Sequence, residues 1–177
     1  MKEFHPPHIY QNETFYFVTG RVVESRLLFN SSNKKELFLK VLKISLEKFS
    51  IGLFAFVIND SHYHLLVKII NAQTLSCFVQ NLHENSARLL NKTDGQPGRQ
   101  VWYQYWDRCI RSEKDFWVRF NYIHHNPVKH GNLNDQNKLK DYKFCSYYLW
   151  LKNKGIEWLD SIFEIYPIVD FTLENGD

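Results

Sequence analysis

Asn59-Asp60-Ser61-His62-Tyr63-His64-Leu65-Leu66-Val67 sets a short polar turn directly ahead of an apolar run. The run reads as a strand, where side chains alternate faces, so His62 and His64 point one way and Tyr63 the other. Just before the turn, Leu53-Phe54-Ala55-Phe56-Val57-Ile58 is continuously apolar and of strand length, the pattern of a strand buried on both faces. Together they predict a hairpin, 53–58 paired with 62–70. Two imidazoles side by side on one sheet face can hold a divalent cation. A His-x-His standing alone is more often a pair of ordinary histidines at a strand start.

Working outward, Thr14 to Val23 is rich in β-branched and aromatic residues and reads as a strand. Asn30-Ser31-Ser32-Asn33 is a turn, and Asn33 with Glu36 three residues on predicts a helix start. Leu37, Phe38, Val41, Leu42 and Phe49 carry that helix to about Phe49. Beyond the hairpin, Thr74 opens a second helix with Leu75, Phe78, Val79, Leu82, Ser86 and Leu89 on one stripe. Asp94-Gly95-Gln96-Pro97-Gly98 is a loop, and Trp102 to Ile110 is an alternating aromatic strand. Strand, helix, strand, strand, helix, strand predicts an α+β, ferredoxin-like split βαβ fold with a central antiparallel sheet. Both helices would lie on one face, leaving the other open for a site with the His pair near its centre.

A third helix is predicted from Ser112, with Asp115 as its capping partner. It should end near Asn126-Pro127, because the residue before a proline is pushed out of the helical region. Asp115, Arg119, Tyr122 and Asn126 share one of its faces, and Phe116, Phe120 and Ile123 form the apolar stripe that packs on the sheet. Taken singly, Tyr122 is an ordinary surface tyrosine and Asn126 an ordinary helix C-terminal residue. Residues 1–13, with Pro6-Pro7, read as an extended lead-in, 1–150 as one domain, and 151–177 as a tail packed on or extending from it.

With 177 residues, 44% hydrophobic and 16% aromatic, the chain can bury a core and is not disordered. Its net charge of +3 permits a nucleic-acid partner without requiring one. Cys77, Cys109 and Cys145 are scattered, which suits reduced thiols rather than a disulfide framework. No signal-peptide core or membrane-length apolar run is present, so a soluble intracellular protein is expected.

The His62-Tyr63-His64 stretch and Tyr122-Ile123-His124-His125-Asn126-Pro127-Val128-Lys129-His130-Gly131 together resemble the single-tyrosine HUH transposases, and among them the REP-associated tyrosine transposases. Trp106-Asp107-Arg108 with Ile110-Arg111, and Asp141 through Tyr147, are similar to that family as well, so the resemblance spans 14–150. It implies a nucleophilic Tyr122 on the third helix, and a Mg²⁺ or Mn²⁺ held by His62, His64 and Asn126. The activity it implies is cleavage and rejoining of single-stranded DNA beside a REP-type hairpin through a 5′-phosphotyrosine link. The partner would be single-stranded or hairpin DNA, with no membrane, and the protein a monomer or homodimer in the bacterial cytoplasm at the nucleoid. Two departures stand out: Ile58-Asn59-Asp60-Ser61, where the family usually has Met or Leu, then Pro or Asp, then Asn, and Cys145, where serine is common. Neither is expected to touch a group the chemistry needs.

The residue types suit that chemistry. A phenol of reference pKa about 10 is only ~0.1% ionised at pH 7, so proton removal or nearby positive charge must activate it. Two imidazoles alone hold Mg²⁺ poorly, which calls for a third protein ligand. Arg108, Arg111, Lys129 and His130 flank the helix and are the candidates for phosphate contacts, against the ordinary reading of each as solvated charge. His124 or His125 could stand in as ligand or proton acceptor. Trp102, Tyr103, Tyr105 and Trp106 could stack bases, although an aromatic strand is more often core, and Cys77 and Cys145 read as small buried hydrophobes. The competing readings are a hairpin-DNA-binding protein without turnover, a domesticated relative, and a zinc hydrolase on the same sheet.

Overall fold

The computed structural model describes residues 11–171; the first ten residues of the expected lead-in and residues 172–177 of the tail lie outside them. Strands β1 (Thr14–Val22), β2 (Gly52–Ile58), β3 (His62–Ile69) and β4 (Trp102–Cys109) form one sheet in the order β2-β3-β1-β4, every pair antiparallel. This is the mixed α+β architecture and strand order that the alternation of elements predicts.

Helices α1 (Ser32–Lys48) and α2 (Thr74–Asp94) cover one face. There Tyr63, Leu65, Val67 and Ile69 of β3 pack with Phe38, Leu42, Phe78 and Leu82 in the larger apolar cluster. Each such side chain, fully buried, contributes roughly 1.5–3 kcal/mol. Gly20 on β1 is opposite Tyr63, and a Cβ there would fall on the tyrosine ring. The glycine lets that ring lie across β1 and send its hydroxyl to His83 Nε2, 2.8 Å away. Helix α1 starts earlier than the Asn33 expectation: Ser31 is its extended N-cap residue, and its carbonyl accepts from Lys35 N at 3.1 Å.

The opposite face is not open. A second apolar cluster fills it, with Phe17, Ala55, Val57 and Leu66 from the sheet against Val118, Phe120, Tyr122 and Ile123 of α3 (Glu113–Lys129). The expected stripe on this third helix does pack there, and its mass is what closes the face. Ser112 caps α3, its Oγ accepting from Asp115 N at 3.1 Å. The C-terminal boundary near Asn126-Pro127 is corrected: α3 runs through Pro127 to Lys129. Proline removes one N–H, and the carbonyl of Ile123 thereby freed faces the Cys145 thiol, with Sγ 3.9 Å away. The last turn then closes through His130 N to Asn126 O at 3.0 Å, and Gly131 takes the left-handed conformation that ends it.

After a 3₁₀ turn (Gln136–Asp141), Phe144 to Ser146 runs along the outer edge of β2. Ile58 N donates to Phe144 O at 2.8 Å and Ser146 N to Phe56 O at 2.9 Å, which shields the sheet edge. Helices α4 (Tyr147–Lys154) and α5 (Ile156–Ile165) follow, joined at Gly155. They pack on α3 through Trp150 and Trp158 against Phe120, and Asn121 Nδ2 donates to Ile162 O and Tyr166 O at 2.9 and 2.7 Å. Among the described residues no helix is long and apolar enough to cross a membrane.

Candidate active site between β3 and α3

The turn that delivers the first histidine is pinned from three sides. Val22 N donates to Ser61 O, Phe29 N to Asp60 O, and Asn59 N to His62 O, at 2.8–2.9 Å. Buried Lys35 of α1 reaches in as well, its Nζ 2.8 Å from Asp60 Oδ1 and 2.9 Å from the Tyr142 hydroxyl. The β alternation then turns His62 and His64 toward α3, with ring centroids 5.0 Å apart. Both are buried.

Each ring has a partner on Nδ1. Thr19 Oγ1 lies 2.8 Å from His64 Nδ1, and Ser61 Oγ lies 3.1 Å from His62 Nδ1. With Nδ1–H donating to these hydroxyls, Nε2 of each imidazole keeps its lone pair for a cation, the tautomer a metal ligand needs. For His62 the Asn59 amide suits the same tautomer, its Nδ2 lying 2.8 Å from the ring's Nε2. Asn126 Oδ1 lies 3.3 Å from that same Nε2. These two nitrogens and one amide oxygen are the groups that could hold a metal. Among the described residues no cluster of three or more His, Cys, Asp or Glu is arranged to do so.

Helix α3 brings Tyr122 to the same place. Its ring is 5.3 Å from that of His64, which in turn stacks on Phe17 at 5.2 Å. The surface reading of Tyr122 is corrected, since the residue is only 1% exposed. Phe171, from the segment after α5, lies against it at 5.2 Å and also covers the guanidinium of Arg119, whose Cζ is 4.1 Å from the Phe171 ring. Lys129 Nζ is 3.3 Å from the Tyr122 hydroxyl and 2.8 Å from Asp170 Oδ1. Arg119 is fully buried and donates to Asp115 Oδ1 at 3.0 Å, so the shared face of Asp115, Arg119, Tyr122 and Asn126 is real.

The remaining expected residues divide. His130 is exposed, its ring 4.6 Å from that of His62. Arg108 and Arg111 are exposed near the start of α3, Arg108 Nε 3.6 Å from Asp115 Oδ2. Arg111 borders a groove of about 350 Å³ with Phe15, Phe116 and Trp117, which none of His62, His64, Tyr122 and Asn126 lines. His124 points away from the pair into the core, Nε2 2.8 Å from Ser146 Oγ, and burial pushes it down to about 3, so it is a neutral packing group. His125 is half-buried and lowered by burial and then by Lys129. Trp102 is core, whereas Tyr103 is exposed. Cys145 is buried and pushed up to about 12 by that burial, but Cys77 is exposed, because it falls one position off the apolar stripe of α2.

Sequence reasoning missed two residues here. Thr19 orients His64 from the neighbouring strand, and the signal lay only in pairing register, Thr19 opposite His64. The expectation that the departure at Asn59 touches none of the groups named for the chemistry is also corrected: its amide donates to both His62 and Asn126. Cys145, the second departure, has its Sγ 3.9 Å from the carbonyl of Ile123 on the helix that carries Tyr122.

Known proteins resemble this chain to different extents. The structure of a REP-associated tyrosine transposase bound to a REP hairpin superposes with a TM-score of 0.71 over 88% of each chain at 18% identity, a likeness of fold. A protein of Haemophilus influenzae described as a REP-associated tyrosine transposase is 28% identical over 110 residues, 62% of this chain. The match covers 53% of that protein, so the chain spans about half the length of this curated relative. The model of the family "Transposase IS200 like" matches residues 11–126, from the lead into β1 to the amide four residues after Tyr122. A match that takes in the whole sheet and the helix bearing the phenol makes this chain a member of the IS200-like transposase family.

Proposed function

We propose that this protein cleaves and rejoins single-stranded DNA at a REP-type hairpin, with Tyr122 as the nucleophile and a divalent cation held by His62, His64 and Asn126. The observation that carries the reading is the meeting, within one chain, of a buried phenol, an ammonium 3.3 Å from its oxygen, and a pair of imidazoles 5.3 Å from its ring at the nearer one.

The donor set fits Mg²⁺ or Mn²⁺. Ligands about 2.1 Å from such an ion and at right angles lie about 3.0 Å apart, close to the 3.3 Å between His62 Nε2 and Asn126 Oδ1. When bound, the cation would neutralise charge on the scissile phosphate and on the departing 3′ oxygen. The chain's own groups do the rest. The Tyr122 oxygen bonds to phosphorus, the bond to the 3′ oxygen breaks, and the proton lost by the phenol balances the one gained by the 3′ hydroxyl. Lys129 stabilises negative charge as it develops on the phenol oxygen. Arg119 lies on the same face of α3, one turn earlier, and holds the Phe17 side of the site in place. The phosphotyrosine link keeps the energy of the broken ester, so the step reverses without ATP. For a strand to reach the phenol, Phe171 and Asp170 have to move off it.

A labelled hairpin with a single-stranded foot, incubated with Mn²⁺, tests this. The wild type should give an adduct that survives SDS. Tyr122→Phe should give none while its hairpin affinity stays within about threefold, because one hydroxyl contributes little to binding. A mobility shift with no adduct from either protein would favour a hairpin-binding protein without turnover.

A further inference from the structure

Asn59 sits in the turn before β3 and is 1% exposed. The amide nitrogen is 2.8 Å from His62 Nε2 and also donates to Asn126 Oδ1. Those two acceptors are themselves 3.3 Å apart. Of the triangle these three polar atoms make, the two edges at His62 Nε2, 2.8 and 3.3 Å, bracket the edge of one face of an octahedral shell, about 3.0 Å for bonds of about 2.1 Å. The amide end of Asn59 therefore stands at a ligand's distance from its neighbours.

Only the element at that corner is wrong for coordination, since an N–H cannot donate a lone pair. Facing two acceptors, an amide presents its nitrogen; facing a cation, the same amide presents its oxygen. A half-turn about the Cβ–Cγ bond exchanges two atoms of nearly equal size and needs no backbone movement. The partner on the far side allows it. Asn59 Oδ1 accepts from Asn132 Nδ2 at 2.6 Å, and Asn132 is also an amide that can turn in step and accept where it now donates.

On the metal reading proposed above, we infer that Asn59 is a further oxygen ligand of the divalent cation, brought in by a coupled turn of the Asn59 and Asn132 amides. Asn59 thereby raises the oxygen content of a set whose two imidazoles alone suit Mg²⁺ poorly.

Calorimetric titration with Mn²⁺ alone, without DNA, tests the inference. Asn59→Leu should bind Mn²⁺ at least fivefold more weakly than wild type, and Asn59→Asp at least tenfold more tightly. Asn59→Leu binding as well as or better than wild type overturns it, since an amide that merely fills the site would compete with the ion. Wild type that shows no saturable Mn²⁺ binding overturns the metal reading itself, and this inference with it. Should Asn59→Leu fail to fold, ¹⁵N side-chain amide spectra of the wild type decide. Mg²⁺ should shift the Asn59 and Asn132 resonances together, and an unmoved Asn132 contradicts the coupled turn.

Discussion

Thr19 shows how a residue outside any motif sets up the chemistry. Its hydroxyl, 2.8 Å from His64 Nδ1, holds that nitrogen and sets which way the ring faces. Outer partners of this kind are worth about 10–100-fold in metal affinity. Thr19→Val, which keeps the shape and removes the hydroxyl, should weaken Mn²⁺ binding by about tenfold or more, measured by titration calorimetry, with thermal stability little changed. Unchanged affinity would mean that packing on Phe17 alone orients the ring. A period of two in a strand and steps of three and four in a helix put the two imidazoles on one face and Tyr122 with Asn126 on another, and the resemblance to the transposase family singles these four out. Thr19 and Asn59 are not legible in this way. Their roles come from strand pairing and from a turn folding back, neither of which leaves a periodic trace.

At the scale of elements, α3 is the part that joins fold to site. Its apolar stripe was legible and its start at Ser112 was correct, yet its end and its burial were not. The rule that a proline ends a helix fails here because the lost N–H costs little: Cys145 meets the freed carbonyl of Ile123. The rule that a tyrosine on a polar helix face is exposed fails because that face lies on the sheet, with the Tyr122 ring against Phe17 and His64, and Phe171 covers it as well. Asn121 ties α5 to α3 by its two bonds to the carbonyls of Ile162 and Tyr166. Asn121→Ala would leave both carbonyls without that donor and should cost about 2–3 kcal/mol, read from urea unfolding. The same variant should retain Mn²⁺ binding, because none of the proposed ligands touches Asn121.

For the whole molecule, the two faces of one sheet carry different burdens, core under α1 and α2, core and chemistry under α3. Each face also holds a histidine in its neutral form: desolvation lowers half-buried His83, stacked on Trp102, and fully buried His124 to about 3, from 6.5. The folded values lie below the unfolded ones, so the stability they allow is complete above pH 6.5. It is lost as pH falls toward 3, because only the unfolded chain takes up the protons. Each contributes at most about 1.4 kcal/mol per pH unit in that window. Urea midpoints should therefore decline from pH 6.5 to 5, and His124→Gln should flatten the decline by about half; an unaltered slope would place the effect elsewhere. The larger claim is that the buried phenol beside His64 is the group proposed to take the DNA strand. Peptide mapping of the SDS-resistant adduct formed by wild type with hairpin DNA and Mn²⁺ tests it most directly. The account predicts the nucleotide on the peptide containing Tyr122, as a phosphotyrosine; a nucleotide linked to any other residue, or no adduct at all, would contradict it.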